Sequence, residues 1–501
     1  MKFTERALIL LLTAVLLFPS CASEKPVNTE PETAVQNEDA SQDAAEKTPE
    51  PEETEVTRET VKDDLPERDF NGYEFKIVTR VRDDFIMDIG SELELNGEIV
   101  NDAYYNRNLT VSDRFNIKIS GVYPGPNGSD VHSAMQEAVM AGDDAYAVGM
   151  NQSNNMDVVG LSGIYLDWHT QLPYVNLKKP WYIGNAAEAL TVHGHAYAMA
   201  GEFNMDILRF TSCFYYNQDI AKEYDLEDIY AVVREGRWTL DALETLADTV
   251  YIDLNSNGKK DFKDRLAVSG DPFDAAIAYQ YGFDIMIAKQ DSEGFPTLAI
   301  DVEKAHDSIV RLNAVYWESA GGLTEGWSSG EDTWAAGNLL CLPALFRNAT
   351  TFGDLEFDYA IIPYPKYDEV QKNYVSSVPG AADLQSVPIS VRDPEMVSII
   401  VEALNCESYK QVVPAYYEIS LKNRYSRDEE SSRMLDLLME CRVFDFGFLH
   451  DATKIRKVFW DSISTNSNDV ASAYATLIPA TEQLYKDLIE GYLKVEEQLG
   501  K

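Results

Sequence analysis

Between Asp253 and Asp264 the chain sets oxygen-bearing side chains at the first, third, fifth, ninth and twelfth places of a twelve-residue loop: Asp253, Asn255, Asn257, Asp261 and Asp264. Gly258 falls sixth, where such a loop turns sharply and glycine tolerates the backbone angle. Lys259, seventh, would add its carbonyl oxygen. A hard cation such as Ca²⁺ takes six to eight oxygens, and this spacing gathers them, so Ca²⁺ is the expected ligand. Asp264 stands where the EF-hand loop carries a bidentate Glu, and two Asn replace Asp, which points to weak, extracellular-type affinity. The plain alternative is a polar turn, since Asn and Gly favour turns anyway. The loop supplies no nucleophile and no open coordination position, so the ion would be structural.

The elements that must position this loop begin well downstream of the N-terminus. Residues 1–20 put Lys2 and Arg6 ahead of an apolar run from Ala7 to Phe18, too short for a permanent span and readable as an export signal. LFPSC resembles a bacterial lipobox, which makes Cys21 the expected lipidation site and the membrane an anchor; ordinary secretion is the alternative. Residues 21–67 consist mainly of Glu, Thr, Ala, Pro, Asp and Gln. Such a segment cannot bury enough apolar surface to offset its ordering entropy, so it is expected to be a disordered acidic tether.

The chain carries 84 Asp and Glu against 42 Lys and Arg, a formal net charge of −42, which argues against nucleic acid as a partner. Cys213, Cys341, Cys406 and Cys441 lack metal-ligand spacing and lie in apolar surroundings, so buried thiols are favoured over disulfides. The six His show no metal pattern, and no Gly-x-Ser-x-Gly, phosphate loop or dinucleotide fingerprint is present.

From residue 73 onward, strand and helix patterns alternate. Residues 73–80, 117–122 and 146–150 read as strands, and 97–115 and 130–142 as helices. This predicts βαβ units and a largely parallel sheet, an α/β fold, with ligands beyond the carboxyl ends of the strands. The loops after Thr79 and Met150 therefore offer Arg80, Asp83, Asp84, Asn151 and Gln152 as ligand-binding candidates.

The order of segments resembles the extracellular solute-binding proteins of ABC importers, the family-one, carbohydrate-associated type found as Gram-positive lipoproteins. LPERDFNGYEFKIVTR, GEIVNDAYYNRN, KKPWY (Lys178 to Tyr182), the stretch from Cys213 through the calcium-like loop, WAAGNLLCLPALF from Trp334 and YAIIPYPKYDEVQKNYVSS from Tyr359 carry the resemblance. It implies a two-lobed periplasmic-binding-protein-like fold with discontinuous domains. Lobe 1 would take residues 68–212 and 385–407, and lobe 2 residues 213–384 and 408–501. Phe214 to Asn217 would form the first crossing and Ser376 to Ile389 the return. The resemblance further implies closure over a sugar or oligosaccharide, delivery to an ABC permease, a monomer, and no enzymatic activity.

Ligand contacts implied beside the crossings are Glu202, Arg209, Trp327, Phe346 and Arg347. Aromatic faces stack on the C–H face of a pyranose, and planar polar groups pair with its hydroxyls. Trp238 and Trp460 are expected in the core. Two other readings stay open: a secreted glycosidase, for which no carboxylate pair stands out, and an oligopeptide-binding protein.

Overall fold

The computed structural model describes residues 57–270, 274–324, 329–352, 355–378, 380–422 and 429–500. Val56–Lys501 forms one compact unit whose described residues contain two larger sheets, two two-stranded ones and two hydrophobic cores.

Strands β1 (Tyr73–Val78), β2 (Ile117–Val122), β3 (Val148–Gln152) and β13 (Asp383–Ser386) make a sheet in the order β13-β3-β1-β2. The first three pair in parallel, Tyr73 opposite Ile117 and Ile77 opposite Val148, as the alternation of strand and helix requires. Returning β13 is antiparallel to β3, Asp383 opposite Gln152. The Ile99–Phe115 and Gly128–Ala141 helices are the crossovers. The second carries a capping box in which the Asp130 carboxylate accepts the Asn127 N–H at 2.9 Å.

The second sheet is mixed and comprises β4 (Ser212–Asn217), β5 (Tyr251–Ile252), β6 (Arg265–Ser269), β9 (Gly322–Leu323), β10 (Leu339–Leu345) and β11 (Tyr359–Ile362). Its central β10 runs antiparallel to β4 and parallel to β6, and every residue of β4 is buried. Ala288–Gln290 (β7) and Pro296–Leu298 (β8) form a hairpin, and Ser376–Ser377 (β12) pairs with Arg442–Val443 (β14).

Phe75, Ile77, Met150, Trp181, Leu384 and Ile400 belong to the first core; Phe214, Trp238, Leu266, Trp334, Leu340 and Ile361 belong to the second. Trp238 is core as expected, and Trp460 packs half-buried against the second core. The four cysteines are buried thiols.

Two boundaries differ from the sequence reading. The stretch from Thr57 to Glu67 belongs to the folded body rather than to a tether. Arg58 pairs with Asp436 at 2.9 Å and lies over the Tyr409 and Tyr417 rings, Arg114 holds Asp63, and Val61 and Leu65 pack on the first core. Residues 408–501 do not all join the second core. Phe444, Phe446 and Phe448 lie in the first core, and the terminal helix Val470–Leu499 returns Tyr485, Leu488, Tyr492 and Val495 to it. The aromatic and aliphatic spacing of that helix is legible, but which core each turn meets is not.

Candidate functional site

Among its passages between the cores the chain crosses from Phe210 to Cys213, from Tyr374 to Val375 and from Cys441 to Phe444, and the first two come together through the Ser212 and Ser377 hydroxyls, 3.1 Å apart. Above this contact lies a cavity of about 270 Å³. It is walled by Arg82 and Asn154 from the segments after β1 and β3, Phe210, Ser377, Gly380 and Ala381 at or beside the crossings, Leu345 and Arg347 at the end of β10, and Ile277, Phe448 and Arg456. A smaller cavity of about 150 Å³ adjoins it, sharing Leu345 and Arg347 and adding Glu331 and Asn348. A larger groove of about 850 Å³ opens elsewhere, beside Asp284, Asp301, Asp307 and Tyr367, and reaches Val375. The interlobe cavity is the better candidate, since strand ends of both sheets converge there.

Three guanidinium groups face this cavity on aromatic supports. Arg82 lies 4.4 Å from the Phe85 ring centre and 5.5 Å from that of Phe210; Arg347 lies over Phe210 at 5.1 Å and Arg456 over Phe448 at 4.3 Å. Asp84 grips Arg82 through both carboxylate oxygens, and this hydrogen bonding raises the Arg82 pKa. Asp451 stands 2.9 Å from Arg456 Nε, and burial pushes the Asp451 carboxyl up to about 6. Arg347 is exposed and pairs with no carboxylate among the described residues.

Of the ligand-binding candidates read from sequence, Arg347 alone borders the cavity; Trp327 lies outside the described residues. Arg80 is buried and spends its Nη2 on Asp383 Oδ1 at 2.5 Å and the Ala381 carbonyl at 2.7 Å. Arg209 is consumed by Asp88, with bonds of 2.5 and 2.8 Å, and by the Tyr416 hydroxyl. Glu202 is wholly buried and pairs with Arg442 at 2.5 Å. Phe346 sits in the second core, Asp83 is exposed at a helix start, and Asp84 serves Arg82. Asn151 and Gln152 are still strand, opposite Leu384 and Asp383. The residues the reading missed, Arg82 and Asn154, lie two positions beyond Arg80 and Gln152: Arg80 is drawn inward by Asp383 and the Ala381 carbonyl, and β3 runs on to Gln152, two residues past the expected end.

The Asp253–Asp264 loop turns as a cation loop should: Gly258 has φ +71°. Asp253 accepts the Asn257 and Gly258 N–H groups at 3.2 and 2.9 Å. Asp261 accepts the Asn255 and Asn257 amides. Asp264 is fully buried, with Oδ2 accepting the Asp261 N–H at 2.9 Å and Oδ1 left without a partner. An orphaned buried carboxylate oxygen amid an all-oxygen donor set fits a hard cation. Among the described residues no group of three or more His, Cys, Asp or Glu is at metal-binding spacing, so any coordination would rest on the Asn amides and a carbonyl as well as on the carboxylates.

Neither a protein-family model nor a curated protein sequence matches the chain. Solved structures do. The galacto-N-biose/lacto-N-biose I-binding protein of the ABC transporter from Bifidobacterium longum, in complex with lacto-N-biose, is 14% identical, TM-score 0.51, with 86% of this chain and 99% of that one covered. UgpB from Mycobacterium tuberculosis in complex with glycerophosphocholine gives 14%, 0.51, 83% and 98%, and a sugar transporter from Rhizobium etli in an open conformation gives 11%, 0.53, 84% and 99%. The chain has the two-lobed fold of the solute-binding proteins. In that fold the cavity above Ser212 and Ser377 is the space between the lobes. Among the described residues of this solute-binding fold, no helix is long and apolar enough to cross a membrane.

Proposed function

We propose that this protein is a non-enzymatic, lipid-anchored extracellular receptor that captures a small polar solute of the saccharide class between its lobes and presents it to an ABC permease. The carrying observation is the cavity of about 270 Å³ at the crossings, walled from both lobes and floored by aromatic rings beneath planar hydrogen-bonding groups. Structures of the same fold hold lacto-N-biose and glycerophosphocholine, both small and rich in oxygen. Titration calorimetry of the exported protein against mono- and oligosaccharides, with hydrolysis followed in parallel, is the test. Saturable heat without product release supports a receptor; turnover replaces it with the glycosidase reading, and binding of oligopeptides alone replaces the solute class.

The anchor and the ion belong to the same proposal. Cys21→Ser is expected to move the protein from the membrane fraction to the medium. Ca²⁺ would be held by Asp253, Asn255, Asn257, Asp261, Asp264 and the Lys259 carbonyl, pinning the turn between β5 and β6. Ca²⁺ is then expected to raise the melting temperature of the native protein and to leave that of Asp253→Ala unmoved, while a native protein indifferent to Ca²⁺ would remove the ion from the proposal.

A further inference from the structure

Resting on the proposed reading of the cavity as a solute site, we propose that its solute is anionic, a polyhydroxylated molecule bearing a carboxylate or a phosphate, and that Arg347 is the residue selecting for that charge. The argument begins with donors and acceptors. Arginine carries five N–H donors and no acceptor, whereas a sugar hydroxyl both donates and accepts. Sites for neutral sugars therefore need acceptors as well as donors, which carboxylates supply best. The described lining of the main cavity contains three Arg and no Asp or Glu. Its remaining side-chain acceptors are confined to Asn154 and Ser377. A guest made only of neutral hydroxyls would leave guanidinium donors in excess, and a carboxylate or phosphate, which only accepts, satisfies them in the planar bidentate geometry that Arg offers.

Charge bookkeeping singles out one residue. Arg82 and Arg456 are already answered by Asp84 and Asp451 behind them, so they hold geometry and donate through their remaining N–H groups. Arg347 has no such answer among the described residues, although it projects over Phe210 beside Arg82. An unpaired guanidinium kept at the cavity wall of a chain with net charge −42 is the signature of a site built against the molecule's own field. At physiological salt that field is screened within about 8 Å, so the local guanidinium decides at contact range. The adjoining cavity has the opposite character: Glu331 lies there, held by Asn348 Nδ2 at 2.9 Å. The solute would place its acidic end between Arg82, Arg347 and Arg456 and its neutral hydroxyls toward Glu331.

The test is calorimetry on the exported protein with matched probes: digalacturonate and other uronate-containing di- and trisaccharides, their neutral counterparts such as galactobiose, and glycerol 3-phosphate with phosphorylated sugars. The expected result is binding of an acidic probe at least about tenfold tighter than its neutral match, weakening as salt rises, with Arg347→Gln removing most of that preference. Preference for uronates assigns a carboxylate and preference for glycerol phosphate a phosphate. Arg347→Lys, which keeps the charge without the fork, is expected to retain part of the affinity. Arg347 is exposed, so neither change should disturb folding, and an unchanged melting temperature checks this. Neutral sugars binding as tightly as their acidic matches, or Arg347→Gln leaving the preference intact, would overturn the inference while sparing the receptor reading. No binding by any probe, acidic or neutral, counts against the receptor reading itself.

Discussion

Arg209 shows how a residue type suited to ligand binding is used instead to hold the scaffold. Its guanidinium is 8% exposed and closes a buried knot with Asp88, Tyr104 and Tyr416. Removing one member of a buried ion pair leaves its partner uncompensated, so Arg209→Met is expected to lower unfolding stability by about 3–5 kcal/mol. Urea denaturation measures this, and the protein that remains folded should keep its solute affinity. Asp206 makes a second prediction at this scale. It is fully buried, its Oδ2 accepts the Asp383 N–H at 2.6 Å, and its Oδ1 has no partner. Burial, with Asp383 and Asp88 nearby, raises its pKa well above the ordinary 3.8. The folded state thus binds a proton that the unfolded chain has released, so this residue's contribution to stability falls as pH rises above 3.8. Asp206→Asn imitates the protonated acid; its stability should decline less than that of the native protein between pH 5 and 8, and equal slopes in urea titrations would refute the assignment. The same residues explain what the sequence could and could not show. Residue types at strand ends pointed to the right end of the first sheet, but Arg80 is withdrawn by Asp383 and Ala381 and Gln152 is held in the ladder by β13, both supplied by a segment about 230–300 residues further along the chain.

At the scale of elements, several helices reach both cores, and two of them carry a hydrogen-bonding defect where they change partners. Pro394–Glu407 packs Val397, Ile400 and Leu404 into the first core, passes through a π-turn at Ser408–Val412, and continues as Val413–Lys422 with Val413 and Tyr416 in the second. Val470–Leu499 has Val470 and Tyr474 in the second core and Tyr485 and Leu488 in the first, with Pro479 between. Proline removes the N–H that would reach the Ala475 carbonyl and crowds the preceding turn, and a π-turn likewise interrupts the regular ladder, so each helix is weakest where it must bend. Pro479→Ala should raise stability, by up to about 3 kcal/mol if the turn relaxes to regular helix, read as a shift in the urea midpoint. Both helices were legible from their apolar spacing. The resemblance put the lobe boundary at 407/408, where the first changes core, but the division of Val470–Leu499 was not legible, because a helix presents the same amphipathic pattern whichever core it meets.

For the whole molecule, these defects bear on the proposed receptor reading, in which closure would rotate one lobe against the other and any such rotation must pass through every segment that joins them. The Ser212 and Ser377 hydroxyls touch beneath the cavity and Ser376 pairs with Arg442, so these crossings lie side by side, while the two long helices join the cores elsewhere. On that reading the floor would act as the pivot, and Pro479 and the 408–412 turn would absorb the bend. On the same reading, a solute paired with both Arg82 and Arg347, which share the Phe210 ring, would be held best with the lobes closed, linking binding to compaction. Small-angle scattering of the chain from Val56 onward should therefore show a radius of gyration that falls on saturation with a bound probe. Pro479→Ala, by stiffening one tie, should reduce that fall while leaving the unliganded curve nearly unchanged. A saturable ligand that leaves the scattering of the native protein unaltered would mean that the site is filled without lobe movement, and would remove the mechanical role assigned to both defects.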